Sequence, residues 1–242
     1  MSDHERDTLE ERAFARGALG REEIIEEAIS MIDDHGLGAL TMRSLGGRLG
    51  VEAMALYRYV NGREDLLEGV VDTLVDRIAV DPGRVLEPAD GWQAFLQWMA
   101  HSVRAVATAH PAVFPLVATR HPAAPWLRPP LRSLRVVDQF LEGLTRRGFT
   151  DAQAVETYRI FTSFLLGHLL LEVSTLGATT SPVEEPLDEG GADIRPPGDG
   201  PSVEDYPSIM RTAALLSEDH TDEEFERALE ALLDRLDLLL SQ

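Results

Sequence analysis

The chain has 242 residues, a formal net charge of −20 and no cysteine. Disulfides, thiolate metal sites and a cysteine nucleophile are excluded, and a chain this long can bury a core without such staples. Its longest apolar runs fall far short of a bilayer span, so a soluble, cytoplasmic protein of about two domains is expected.

Residues 1–19 carry no secretory pattern and read as a flexible tail. Arg6, Arg12 and Arg16 are able to reach a minor groove, as the arms of some DNA-binding proteins do. Five acids in the same stretch favour the plainer reading, a solvated tail. Residues 20–66 form the first expected domain. Arg21 to His35 has helical spacing, with Ile24, Ala28, Met31 and Ile32 on one face and Glu22, Glu23, Glu26 and Glu27 on the other. Gly36 is its stop.

Leu40 to Val60 reads as two short helices around a tight turn. Thr41 can cap the first, because its hydroxyl accepts an otherwise unpaired N–H of the first turn. Leu45 and Leu49 make one apolar stripe, and Gly50 ends the helix in the left-handed conformation. Val51 and Leu56 continue the buried side. The segment Glu52 to Tyr59 then exposes Ala53, Met54, Tyr57, Arg58 and Tyr59. This is the pattern of a helix-turn-helix, whose second helix enters the DNA major groove.

An acidic chain is a poor partner for phosphates, which attract clustered positive charge. The local count differs. Thr41 to Arg63 holds four arginines (43, 48, 58 and 63) against one acid, Glu52. Steep salt dependence and modest affinity are expected. All 22 basic residues are arginine, which we read mainly as coding bias.

Residues 67–242 form a larger second domain. Asn61 and Glu64 are an expected capping pair for a helix over about 63–80, which Asp81-Pro82-Gly83 terminates. Beyond Asp90, Trp92, Phe95, Trp98, Met99 and Val103 fall on one broad helical face. Pro111 and Pro115 interrupt the chain around Val113 and Phe114. Pro122, Pro125, Pro129 and Pro130 surround Trp126 and Leu127. A helix over about 130–147 turns Leu134, Val137, Phe140, Leu141 and Leu144 inward and ends at Gly148. Thr150 and Gln153 make a capping box for a helix over about 151–175. Residues 181–207 hold six prolines, four glycines and eight acids against one arginine, a composition too polar to order itself. Thr221 to Glu224 is another capping box. Phe225, Leu229, Leu232, Leu233, Leu236 and Leu240 form the apolar stripe of the last helix.

The stretch GALTMRSLGGRLGVEAMALYRYVNGREDLL resembles the DNA-binding domain of the TetR family of bacterial transcriptional regulators. The resemblance rests on the helix opened by Thr41, the turn LGV, the run LYRYV and the following N-x-x-x-x-L-L. Leu144 to Glu172, a GF-turn before a helix containing LLGHLLLE, resembles the ligand-binding domain of the tetracycline-repressor branch. The resemblance implies an all-α protein: a three-helix DNA-binding domain with a helix-turn-helix, and a larger helical domain for ligand binding and dimerisation. It implies a homodimer on a palindromic operator, with recognition helices ~34 Å apart. It implies repression relieved by a small effector.

Carried over by position, Thr41 and Arg43 would hold phosphates, Ala53, Met54 and Arg58 would face bases, and Tyr57, Tyr59 and Arg63 would hold the DNA backbone. Arg58 is the best candidate for specificity, since a guanidinium bonds guanine O6 and N7 together. Ala55 departs from the family's frequent Thr or Ser. The dimer would pair the helix after the GF-turn with the last helix in a four-helix bundle, through Val155, Phe225, Leu229, Leu232, Leu233 and Leu236. Candidate pocket residues are Trp92, Phe95, Trp98, Met99, Phe114, Trp126, Phe161, Phe164 and His168, which as a set suit an apolar effector. His101, His110, His121 and His168 are able to orient it. In the tetracycline branch a His one turn before a T-R pair binds a magnesium–drug complex. Here the pair is Thr119-Arg120 and the matching position is Leu116. No metal and no cofactor are expected.

An enzyme is not expected. There is no nucleophile–base spacing, no phosphate loop and no HExxH. The alternative is a helical dimer that binds a ligand or protein partner without specific DNA binding. The cluster Arg43, Arg58 and Arg63 discriminates: side chains on an exposed face support DNA binding, and side chains tied up elsewhere weaken it.

Overall fold

A computed structural model of the chain describes residues 19–79, 88–119, 126–129, 133–178 and 205–240. The expected tail with Arg6, Arg12 and Arg16 lies outside these residues. So do Asp81-Pro82-Gly83, Arg120, His121, Pro122, Pro125, Pro130 and all of the 181–207 segment before Asp205. Among the described residues the fold is all-α, with ten α-helices. In chain order they are α1 Arg21–His35, α2 Met42–Leu49, α3 Ala53–Leu56, α4 Arg63–Ala79, α5 Gly91–Ala109, α6 Phe114–Thr119, α7 Leu134–Thr145, α8 Asp151–Thr175, α9 Pro207–Leu216 and α10 Thr221–Leu240.

The N-terminal head is α1 to α3, packed on the start of α4. Ile24, Ala28 and Ile32 recur at helical spacing on α1 and are fully buried. They meet Leu45 of α2, Leu56 of α3 and Leu66 and Val70 of α4 in one core. Each buried Ile, Leu or Val among them contributes ~1.5–3 kcal/mol by leaving water. Helix α4 then carries the apolar stripe into the larger domain, where it packs on α5 and α6.

Helix α8 is the centre of that larger domain and touches α5, α6, α7 and α10. It buries Ala154, Tyr158, Phe161, Leu165, Leu169 and Val173 against these neighbours and leaves Glu156, Arg159, Ser163 and Leu171 exposed. Its start is the capping box foreseen from Thr150 and Gln153. The Glu172 carboxylate, near its C-terminal end, is buried. Arg104 of α5 meets it with Nε at 3.0 Å and Nη2 at 2.7 Å. Arg104 also bonds Asp222 at the start of α10 and lies 4.6 Å over the Phe225 ring. One guanidinium thus ties α5, α8 and α10 together.

Three expectations are corrected here. Leu134 is exposed, because the helix expected from 130 begins at Leu134 and its first turn lies at the edge. The box expected at Thr221 is replaced by Asp219, whose carboxylate accepts the Thr221 N–H at 3.1 Å and its hydroxyl at 2.7 Å. Those bonds hold the Asp219 carboxyl below the usual range. Third, Phe225, Leu229, Leu233 and Leu236 are buried within the single chain against its own helices. Their stripe already has its partner, so these four side chains are not a free dimer face. Helix α9 was not foreseen, and it has no buried residue.

Candidate functional site

The helix-turn-helix is α2 and α3. Thr41 Oγ1 accepts the Ser44 N–H at 3.0 Å, and Ser44 Oγ accepts the Thr41 N–H at 2.9 Å. This reciprocal pair satisfies two donors that the first helical turn leaves open. Gly50 closes α2 at φ 72°, in the left-handed region that favours glycine. Gly46 is the tighter constraint. A Cβ there would stand 2.8 Å from the Val51 carbonyl oxygen and 3.2 Å from the Ala53 nitrogen. The backbone leaving the turn therefore passes where only a hydrogen fits. Helix α3 is a single turn, shorter than the expected 52–59, and continues as a turn through Tyr59.

Three arginines brace this unit. Arg21 reaches Asp65 of α4 at 2.8 Å and donates to the Tyr59 carbonyl at 3.1 Å. Asp65 also accepts the Asn61 N–H at 2.7 Å, a bond the sequence reading did not foresee. The bonds from Arg21 and then Asn61 hold the Asp65 carboxyl below its usual range. Arg48 bonds Glu27 at 2.5 Å and Asp34 at 3.0 Å on α1. Arg63 Nε donates to the Leu40 carbonyl at 3.1 Å, which takes up part of the donor set expected for the DNA backbone. Arg48 counts toward the local charge, but it is neutralised by its own head.

Arg43 and Arg58 remain. Both are exposed, and neither guanidinium bonds to any described residue. Thr41, Tyr57 and Tyr59 are exposed beside them in sequence, Met54 is 75% exposed, and Ala53 is half-buried. Among the described residues the structure thus leaves two uncommitted guanidinium groups, the two tyrosine hydroxyls and one apolar tip exposed on α2, α3 and the turn that follows, with the Thr41 hydroxyl engaged in the cap.

The larger domain holds a separate cavity of about 70 Å³. Val75 and Ile78 of α4, Met99 and Val103 of α5, Val117 of α6, Phe140 of α7 and Phe161, Leu165 and Leu166 of α8 line it. Its polar groups are Ser133, Thr162 and Tyr158. The Tyr158 hydroxyl donates to the Pro129 carbonyl at 2.9 Å, and burial pushes its pKa up to about 12. Among the described residues, no charged side chain lines the cavity.

Of the candidate pocket residues, only Met99 and Phe161 reach this lining. Phe95 is a core ring, tilted on Phe140 at 6.0 Å, with Arg147 over its face. Trp98 stacks on Phe95, and Trp92 meets Phe149 edge-on. Phe114 is fully buried and Trp126 is 75% exposed. Phe164 and His168 lean on one another, and His168 also meets Phe225. His101 bonds Glu226 at 2.8 Å. Leu116 is buried outside the lining. Among the described residues, no three His, Asp or Glu side chains gather as a metal set. Sequence reasoning missed the valine-rich wall from α4, α6 and α7, because valines at helical spacing look like any core.

A family model described as bacterial regulatory proteins, tetR family, matches residues 24–70. A second, described as tetracyclin repressor-like, C-terminal domain, matches residues 85–239, more than half of the chain. The chain belongs to the TetR family. This TetR-family chain is 26% identical over 228 residues to the tetracycline repressor protein class D of Escherichia coli, which covers 92% of the chain and 91% of that protein. It is 29% identical over 150 residues to the HTH-type transcriptional repressor DrrR1 of Streptomyces coeruleorubidus, 62% of this chain but only 52% of that one. A crystal structure of a possible TetR family transcriptional regulator from Streptomyces coelicolor A3(2) superposes with a TM-score of 0.66 at 27% identity, covering 90% of this chain and 99% of that one. The Streptomyces coelicolor TetR family protein ActR, in complex with actinorhodin, superposes with a TM-score of 0.63 at 22% identity over 91% and 96% of the two chains, a likeness of fold. The TetR family is one of DNA-binding transcriptional regulators, not of enzymes. Among the described residues, no helix is long and apolar enough to cross a membrane.

Proposed function

We propose that the protein is a homodimeric repressor that binds a palindromic operator and leaves it when a small, neutral, largely apolar effector enters the cavity. The observation that carries the DNA reading is the pair Arg43 and Arg58, exposed and uncommitted while Arg21, Arg48 and Arg63 brace the head. The partner-binding alternative gives no reason for leaving those two guanidinium groups free. The effector reading rests on a cavity wall whose described residues are all uncharged, where an ionised ligand would be left uncompensated. The cavity is smaller than the ~300–1,000 Å³ of ordinary ligand sites, so its walls must part to admit a drug-sized molecule. In this reading the effector favours the state with parted walls, by no more than its difference in affinity between the two states.

The dimer reading moves to a different face from the one read in the sequence. Val155 and Leu232 are half-buried and remain available. Exposed Leu171 of α8, Ile209, Met210, Leu215 and Leu216 of α9 and Leu238 and Leu239 of α10 add to them. So much exposed apolar surface on successive helices is a mark of an interface. Leu171→Asp with Leu238→Asp is expected to give a folded monomer. Sedimentation checks it, and a dimer that persists removes this face from the interface.

The direct test is selection of bound sequences from random duplex DNA by the purified protein, at low and then near-physiological salt. A palindrome that survives the higher salt supports the operator reading. No consensus at either salt overturns it in favour of the partner-binding alternative. With the operator known, Arg58→Ala is expected to relax preference at one base pair, by ~1–3 kcal/mol of discrimination. Preference unchanged at every position would refute its base-reading role.

A further inference from the structure

Asp33 lies near the end of α1, in the DNA-binding head. Its Oδ2 sits 2.6 Å from Nδ1 of His110, the residue that follows α5 in the larger domain. His110 Nε2 lies 2.8 Å from Nη1 of Arg77 on α4. Arg77 Nη2 in turn donates to Glu26 of α1 at 2.5 Å. Arginine has donors and no acceptor, so His110 Nε2 carries the lone pair and Nδ1–H donates to Asp33. One imidazole tautomer thus closes a chain Asp33–His110–Arg77–Glu26 that starts and ends on α1. The second Asp33 oxygen is shut off from solvent and has no partner among the described residues. An unsatisfied buried oxygen costs stability, so its presence calls for a reason.

The reason lies in what else these elements do. Arg77 stands between Val75 and Ile78, which line the cavity from α4. His110 lies between Val103 of α5 and Val117 of α6, which line it from two further sides. The His110 carbonyl also accepts the N–H groups of Val113 and Phe114, so the same residue shapes the turn into α6. A parting of the walls that moves α4, α5 or α6 pulls on this chain, through which those helices are bonded to α1.

We propose that Asp33, His110, Arg77 and Glu26 form an interdomain latch that holds the DNA-binding head at a set angle to the cavity walls and passes their movement to it. These are positioning residues, since none touches the cavity or the DNA-facing surface. The proposal rests on the effector reading for what moves the walls, but the latch itself is testable without an effector.

The chain has no native cysteine, so Glu23→Cys on α1 and Gln139→Cys on α7 give two unique spin-label sites on exposed positions. Doubly labelled full-length chains, diluted into unlabelled protein, report the distance from head to larger domain within one chain. The parent is expected to show one narrow distance distribution. His110→Phe keeps a ring but removes both bonds, and it is expected to broaden or shift that distribution while the helical signal stays intact. A His110→Phe distribution as narrow as the parent's, at the same distance, would overturn the latch. If His110→Phe does not fold, Asp33→Asn is read in its place by the same criterion. A neutral apolar dye, N-phenylnaphthylamine, is then added. A shift in the parent that the variant lacks supports transmission through the latch. An equal shift in both overturns it. A dye that binds without moving the parent overturns the effector reading, and the latch then stands or falls on the undyed distributions.

Discussion

Gly46→Val is expected to cost the protein its operator while leaving the larger domain folded. A Cβ at this position meets the Val51 carbonyl and the Ala53 nitrogen, which are backbone and cannot swing aside as a side chain would. Relieving such a contact strains the surroundings by ~1–3 kcal/mol, and here the group that must shift is the entrance to α3. A displaced α3 loses its base contacts, each worth ~1–3 kcal/mol, together rather than singly. Affinity for the selected operator should therefore fall by about two orders of magnitude or more, measured by titration at fixed salt. Near-native affinity would show that the turn relaxes without moving the recognition segment. Far-ultraviolet dichroism should change little, because α2 and α3 are a small share of the helix present.

The second large effect concerns stability. Arg104→Ala leaves the Glu172 carboxylate buried without its cation. Breaking a buried pair on one side costs ~3–5 kcal/mol. For a chain of this size that lowers Tm by roughly 6–20 °C, at a fixed protein concentration because the Tm of the proposed dimer would depend on it. Arg104→Met with Glu172→Leu is expected to recover most of the loss, since apolar replacement of both partners is often near neutral. A single variant as stable as the parent would mean that water reaches Glu172. A double variant as unstable as the single would mean that the bond to Asp222 or the contact with Phe225 carries the stabilisation instead.

Much of the head was readable because its devices are local. Thr41 precedes an apolar stripe, Gly50 follows it, and both do what their chemistry predicts at those places. The long helices were also readable, since Thr150 with Gln153 and the spacing of α8 need no distant partner to be recognised. What escaped was non-local. The bonds of Arg48 to Glu27 and Asp34 join positions 21 and 14 residues apart, and no spacing rule announces them. The stripe on α10 was read correctly as buried but assigned to a second chain, because an apolar face does not say whose surface covers it. The cavity was read from its aromatic residues, which in the fold are mostly core. Five of its lining residues are valines, conspicuous only once α4, α5, α6 and α7 are brought together in space.

The division of labour among the arginines has a consequence for how such a regulator diversifies. Arg21, Arg48 and Arg63 are fastened to carboxylates or carbonyls of the head, whereas the side chains of Arg43 and Arg58 and the tip of Met54 are attached to none of the described residues. Changes at the second group leave every intramolecular bond in place. A duplicated gene is therefore free to drift at these positions, letter by letter, without passing through an unfolded ancestor. The vocabulary of the head is editable because its carpentry is elsewhere.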